Sequence, residues 1–243
     1  MEQNGGNNKK KLYIVRHGET AWNIQKKLQG CEADIELNNN GRKQALITGK
    51  YLNDYQQTKT KFDIIYCSPQ KRALETAKII AKELSYDDEI IIIDDLKELC
   101  VGKLSGTTEQ DRKTDPAFHE LNELQNKYKN IIDPIDKMKK ALYYENIISK
   151  TYDRETLDEI IIQVQKVLKK ITENAYRKIL VVTHGGLMNN MFMVIGNTYD
   201  YGDGDVTNGQ NCKIGYVEYQ NSTYKIFTNP NTVHFDLYKR IYH

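Results

Sequence analysis

The sequence predicts an α/β chain: a three-layer α/β/α sandwich with a mostly parallel mixed sheet and a helical lid insertion. Three observations predict it. Short β-branched and aromatic runs alternate with stretches of helical apolar spacing, the pattern of strands covered by helices. Two of those runs, at 12–16 and 179–183, stop in the same way, at His-Gly. The last two runs alternate around Asn221-Ser222 like a hairpin, which adds antiparallel strands at one edge.

The elements follow in order. Residues 1–10 are rich in Asn, Gly and Lys and offer almost nothing to bury, so they read as a disordered tail ahead of a single domain at 11–243. Leu12, Tyr13, Ile14 and Val15 make a buried strand, and Gly18 permits a tight turn after it. A helix is expected over about 41–52, with Ala45, Leu46, Gly49 and Leu52 on its small-residue face. Residues 62–67 form a second strand. Ser68 as N-cap and Pro69 at the first helical position then open a helix. Ala73, Leu74, Ala77, Ile80, Ala81 and Leu84 supply its buried stripe. A third strand at 90–93 leads through Asp94, Asp95 and Leu96 to Glu98.

Residues 105–150 are polar, with helical stretches near 118–128 and 135–144, and read as the lid. A stronger helix at 155–171 carries Leu157, Ile160, Ile161, Val164, Val167, Leu168 and Ile171 on one face. The fourth strand reaches His184, and a short helix follows at 187–195. Residues 202–205 make a flexible loop before the hairpin at 214–219 and 224–228.

Bulk properties exclude several classes. Lys+Arg 35 against Asp+Glu 33 leaves +2, without the basic excess of a nucleic-acid binder. No apolar run approaches the length of a membrane span, and no signal peptide is evident. Cys31, Cys67, Cys100 and Cys212 form no C-x-x-C pair and no zinc-finger spacing. They read as four reduced thiols of a cytoplasmic protein, with Cys67 and Cys100 as packing residues.

The repeated His-Gly ending carries the functional argument. Open α/β sheets bind ligands at the carboxyl ends of their strands. If the two strands are parallel neighbours, His17 and His184 meet over one sheet edge with Arg16 beside them, a pocket for a phosphoryl group. Imidazoles more than about 8 Å apart could not share one phosphate.

At residues 12–20 the chain resembles the histidine phosphatase superfamily, in its phosphoglycerate mutase-like branch. The opening signature is Arg16-His17-Gly18-Glu19-Thr20 with Trp22-Asn23. Gln29-Gly30, Asp34, Leu37, Gly41 and Gln44-Ala45 resemble the second block. Ser68-Pro69, Lys71-Arg72-Ala73 and Glu75-Thr76-Ala77 resemble the third. Leu96 and Glu98 with Gly102 and Gly106 are similar to the acid segment. Glu155-Thr156-Leu157 and Val182-Thr183-His184-Gly185 follow. A lone R-H-G arises by chance; this whole series of blocks in order does not.

The resemblance implies an enzyme of phosphomonoesters working through phosphohistidine. His17 is the nucleophile, presenting a neutral ring nitrogen while a backbone carbonyl holds the other N–H. Arg16 and Arg72 offer planar forks for phosphate oxygens. Asn23 adds an amide donor, and His184, if protonated, a third positive donor. Glu98 is the acid that protonates the leaving oxygen and then takes a proton from water. Gln29, Gly30 and Gly185 join them as phosphate or substrate contacts. Trp22 reads as local core. The side chains supply the positive charge, so neither metal nor cofactor is implied. The partner is a small phosphorylated substrate such as a sugar phosphate; homo-oligomerisation stays open.

Two other functions compete with a phosphatase. A phosphoglycerate mutase would carry further polar and cationic groups. Its tyrosine, lysine and asparagine fall here at Val101, Glu109 and Gly186, which favours hydrolysis. A non-catalytic phospholigand-binding module would tend to lose the nucleophile or the acid, and both are present. Lys103, Arg112, Lys113, Lys127 and Lys129 could still hold an anionic substrate from the lid.

Overall fold

The computed structural model describes residues 9–57, 61–120, 123, 143, 146–196 and 211–228. Its strands are β1 (Lys10–Arg16), β2 (Ile64–Cys67), β3 (Ile91–Ile92), β4 (Lys178–Thr183), β5 (Ile214–Gln220) and β6 (Thr223–Thr228). They form one sheet in the order β3-β2-β4-β1-β5-β6. The β3–β2, β2–β4 and β4–β1 pairs are parallel. The β1–β5 and β5–β6 pairs are antiparallel, giving the mixed sheet that the terminal hairpin predicts. Asn221 and Ser222 both take positive φ, 50° and 60°, as a two-residue hairpin turn of the primed kind requires.

Helices cover both faces. On one side α2 (Asn39–Gln57) and α3 (Lys71–Glu83) pack on Tyr13, Val15, Ile65, Leu180 and Val182. On the other, α5 (Leu157–Thr172) and α6 (Gly185–Gly196) cover Leu12, Ile14, Ile179 and Val181. The alternation of those strand residues between the two cores is the period-two geometry of a strand buried on both faces. All six residues of β4 are buried, which places this strand at the centre.

The helix boundaries have local causes. Thr156 caps α5, and Glu159 returns the bond in a capping box. Ile160, Val164, Val167, Leu168 and Ile171 then face the core at helical spacing, while Ile162 stays half exposed. α2 is longer than predicted at both ends; at its start Asn38 Oδ1 already takes the Gly41 N–H at 2.7 Å. α3 starts later than predicted. Its N-cap is Gln70, without a side-chain bond, and Ser68 serves a different purpose described below.

Two short helices, α1 (Ala21–Ile24) and α4 (Glu109–Thr114), lie near the cleft, with 3₁₀ turns at Asp94–Leu96 and Gly102–Leu104. Residues 116–120 and 146–152 are also helical. Leu104, Ile148 and Tyr152 make a small separate core with Leu28, Val101, Ala117 and Phe118. The helices expected near 118–128 and 135–144 fall mostly, and the loop at 202–205 wholly, outside the described residues. No described helix is long and apolar enough to cross a membrane.

Two expectations are corrected. The tail does not run through residue 10. Lys10 begins β1, and its Nζ donates to the carbonyls of Asn174 and Tyr176, both at 2.6 Å. An ammonium with two carbonyl acceptors can be buried where a free one cannot. Nor are all four cysteines thiols: Cys31 and Cys100 form a disulfide, while Cys67 and Cys212 are free and buried. No spacing marks the bonded pair, since 69 residues separate them. The fold joins them by laying two loops side by side, with the Cys31 N–H on the Leu99 carbonyl at 3.1 Å.

Replacing Cys31 and Cys100 together by Ser releases this closed loop. The oxidised parent is expected to exceed the double variant in unfolding free energy by about 2–4 kcal/mol in urea titrations. Equal midpoints and slopes would show that the bond contributes nothing to stability.

Candidate active site

β1 and β4 end together. Their register sets Arg16 against Thr183, so the following residues, His17 and His184, lie side by side. Their ring centroids are 5.2 Å apart, inside the separation at which two imidazoles can address one phosphate. Arg16, His17, Asn23, Gln29, Gly30, Arg72, Glu98 and Gly185 line one cleft of about 660 Å³. His184 is fully buried and does not line it.

The hydrogen bonds define both tautomers. His17 Nδ1 lies 2.7 Å from the Gly18 carbonyl oxygen. A carbonyl only accepts, so Nδ1 carries the proton and Nε2 keeps its lone pair. Burial, then Arg72 and Arg16, hold this ring well below the ordinary histidine pKa; the Gly18 bond pulls the other way and is outweighed. For His184, the Arg72 Nε–H donates to Nδ1 at 3.1 Å. The remaining proton therefore sits on Nε2 and is donated to Ser68 Oγ at 2.7 Å. Burial, followed by Arg72, His17 and Arg16, holds His184 well below its usual pKa as well. The protonated His184 considered from sequence is thus corrected to a neutral ring whose two nitrogens hold Arg72 and Ser68.

Arg72 is fully buried. Besides His184, its guanidinium donates to the carbonyls of Ala33 and, at 3.0 Å, Gly30. Three of its five N–H groups are used in this way. Burial lowers its pKa to about 10, with Glu98 and Asp34 opposing, so it stays cationic at neutral pH. Burial likewise lowers Arg16, against the pull of Glu98. A Cβ on Gly185 would stand 3.1 Å from Arg16 Nε, so the glycine lets that guanidinium lie close.

Glu98 sits at the amino end of α6. Its Oε1 accepts from the Leu99 and Leu187 N–H groups at 3.0 and 2.9 Å, and Oε2 from Gly186 at 3.0 Å. Two of those donors are groups that a helix start leaves unpaired. Gly186 makes the approach possible, because a Cβ there would meet Oε1 at 2.6 Å. Asn23 is fixed through Oδ1, which takes the Thr20 N–H at 3.0 Å and the Asn211 amide at 3.1 Å; its Nδ2 remains as a donor. Gln29 Oε1 lies 3.0 Å from the Thr20 hydroxyl. Gly30 takes φ +57°, the left-handed turn that aims its carbonyl at Arg72.

Sequence reasoning missed three residues. Gln70 donates through Nε2 to the carbonyls of Gly30 (3.2 Å) and Ala33 (3.3 Å) and takes the Glu98 N–H on Oε1 (2.8 Å). It ties the loop under Arg72 to the loop carrying Glu98. Asn211 donates to the His17 carbonyl at 3.1 Å. Ser68 holds His184 as well as the Gln70 N–H at 3.3 Å. Gln70 shows its burial only in the structure, and Asn211 lies in a polar stretch with no signal. Among the described residues, Cys31, Glu32 and Cys100 are one group of metal-ligand type, but both sulfurs belong to the disulfide.

These histidines couple stability to pH. Each folded-state pKa lies below the unfolded value of 6.5. The unfolded chain therefore binds more protons once pH drops below that value, and stability is lost as pH falls. The limiting slope is about 1.4 kcal/mol per pH unit for each ring. Urea titrations from neutral to mildly acidic pH should show it, and His184→Gln should flatten it. A pH-independent parent would contradict neutral buried rings.

Comparison with known proteins bears on this geometry. The model of the "Histidine phosphatase superfamily (branch 1)" matches residues 12–230. The chain is 35% identical over 174 residues to a Bacillus subtilis protein named "Uncharacterized phosphatase PhoE", covering 71% of this chain and 70% of that one. A phosphoglycerate mutase structure from Bacillus anthracis superposes with a TM-score of 0.69 at 23% identity, covering 92% of this chain and 94% of that one; it supports the fold alone. A histidine-to-alanine mutant of a phosphoserine phosphatase from Entamoeba histolytica, solved with phosphoserine, matches with a TM-score of 0.64 and 25% identity over 91% of this chain and 97% of that one. With two strand-end histidines side by side next to Arg16 and the buried Arg72, and a family match across most of its length, this chain belongs to the histidine phosphatase superfamily.

Proposed function

We propose that this enzyme hydrolyses small phosphomonoesters, with His17 Nε2 as nucleophile. The observation that carries the proposal is the His17 tautomer. The Gly18 carbonyl holds the Nδ1 proton, and burial of the ring, with the Arg72 and Arg16 guanidinium groups, disfavours a second one. Nε2 attacks phosphorus and the ester oxygen leaves. Glu98 is the general acid that gives that oxygen its proton. Water then attacks the phosphohistidine, passing a proton to Glu98 and freeing phosphate. Arg16, Arg72 and the Asn23 amide hold the equatorial oxygens, where transition-state charge spreads. His184 acts through its bond to Arg72. Gln29, Gly30 and Gly185 shape the phosphate end of the cleft.

The cleft favours hydrolysis over phosphoryl transfer between two positions of a substrate. Val101, Glu109 and Gly186, where mutases carry tyrosine, lysine and asparagine, all line it. An asparagine at 186 would bring a Cβ against Glu98 Oε1. The chain from β1 onward is one domain in this reading, with the cytoplasm as its location. There the Cys31–Cys100 bond would be exposed to cellular reductants.

Phosphate release from p-nitrophenyl phosphate tests this reading. His17→Ala should abolish it, and Glu98→Gln should lower turnover by about 10²–10⁴-fold, the usual size of a general-acid contribution. Rapid interconversion of phosphoglycerate isomers with little free phosphate would replace hydrolysis by mutase action. Full activity in His17→Ala would remove the proposed nucleophile.

A further inference from the structure

The two loops joined by the Cys31–Cys100 bond are also held together by other means. The Cys31 N–H donates to the Leu99 carbonyl at 3.1 Å. Gln70 spans the same gap, its Nε2 donating to the Cys31 carbonyl at 3.4 Å and its Oε1 taking the Glu98 N–H at 2.8 Å. On the other side of Cys100, Glu155 Oε2 takes the Cys100 N–H at 2.7 Å, and the Glu155 N–H donates to the Cys100 carbonyl at 3.1 Å. None of these bonds uses a sulfur. Reducing the disulfide therefore leaves two thiols facing each other on backbone that is fixed independently.

A carboxylate stands beside them. Glu32 Oε1 takes the Gly102 N–H at 2.6 Å, so the neighbour of Cys31 is tied to the loop of Cys100. A Cβ on Gly30 would collide with Glu32 Oε2, so that glycine leaves the second carboxylate oxygen its place. One ligand atom from each of Cys31, Glu32 and Cys100 lies within 4.8 Å of the other two.

This donor set selects a cation. Thiolates favour soft and borderline metals over magnesium and calcium. A carboxylate oxygen beside two thiolates suits Zn²⁺, which accepts sulfur and oxygen ligands in a tetrahedron. Zn–S bonds of about 2.3 Å put two ligating sulfurs roughly 3.8 Å apart, a spacing that cysteines on apposed loops reach by rotating their side chains. Glu32 is exposed, so water reaches the fourth position. The chain's other two cysteines compete poorly. Cys67 and Cys212 are buried, and burial pushes both thiols up, Cys212 to about 12. Cys31 and Cys100 are only half-buried.

We infer that Cys31 and Cys100, once reduced, form with the Glu32 carboxylate a binding site for Zn²⁺. A dithiol reductant opens the disulfide by exchange: the S–S bond breaks, two S–H bonds form, and the reductant departs as its own disulfide. The cation then displaces both thiol protons to solvent and binds the two thiolates. Zn–S bonds replace the covalent link between the loops, one of which carries the Gly30 and Ala33 carbonyls that hold Arg72. The site lies apart from the chemistry at His17 and stands or falls independently of the phosphatase reading.

Cobalt titration of the whole chain tests it. Protein reduced with a phosphine under anaerobic conditions and then desalted should bind one Co²⁺ per chain. Binding should bring the near-ultraviolet sulfur-to-metal charge-transfer band and the visible bands of tetrahedral cobalt, and Zn²⁺ should erase both. The same protein with its disulfide intact should show neither, a comparison that needs no substitution. Glu32→Gln should keep the sulfur band but weaken affinity by more than about tenfold, since losing even an outer partner of a metal ligand costs that much. In urea, Zn²⁺ should raise the unfolding midpoint of the reduced wild type and leave that of the oxidised protein where it was. Absence of the sulfur-to-cobalt band from reduced protein, an equal band in oxidised protein, a midpoint unmoved by Zn²⁺, or an affinity untouched by Glu32→Gln overturns the site.

Discussion

A guanidinium buried without an adjoining carboxylate is the constraint on which this structure turns. Arg72 is fully enclosed, and burying a charge is costly unless hydrogen bonds replace its water. Here two carbonyls and an imidazole nitrogen replace it. The surrounding architecture supplies those three acceptors. Residues 30–33 curl so that two carbonyls face inward, Gln70 clamps the curl, and the Cys31–Cys100 bond fastens it to the neighbouring loop. Burial, and after it the same charge, suppresses protonation of both histidines. One buried cation thus adds to the neutral state of the site and fixes the shape of its wall.

The chemistry at either end of the cleft calls for a different kind of support. Around His17 the groups hang from strand ends, helix starts and buried bonds, as suits atoms that must stay within a fraction of an ångström. Thr183 adds a tie of this kind, its hydroxyl donating to the Leu96 carbonyl at 2.9 Å and so anchoring the segment that leads to Glu98. At the mouth, Lys26 and Lys27 follow α1 and Arg112 sits on α4, both of them short helices. Loops on a rigid scaffold are where recognition usually resides.

The sheet was legible because its signal is local. The repeated apolar run ending in His-Gly, the helical stripe of α5 and the turn at Asn221-Ser222 each act within a few residues, and the sheet follows them. The gathering of Arg16, His17, Arg72 and Glu98 was legible through the ordered blocks of motif. What escaped depends on distant contacts. Ser68 reads as a helix cap, yet a histidine 116 residues away claims its hydroxyl. Cys31 and Cys100 carry no spacing that pairs them. Lys10 looks like tail until the turn at 174–176 supplies two carbonyls. His184 looked free to carry a proton, and burial together with the Arg72 Nε–H aimed at its Nδ1 denies it one.

The peptide unit that accepts the His17 Nδ1 proton belongs to the very next residue. The orientation of the attacking ring is therefore written into a tripeptide, Arg16-His17-Gly18, rather than borrowed from a remote partner. When helices or covering segments drift over evolutionary time, the ring and its acceptor travel as one piece. Such a chain can be rebuilt around its rim for new substrates without relearning how to present its nucleophile.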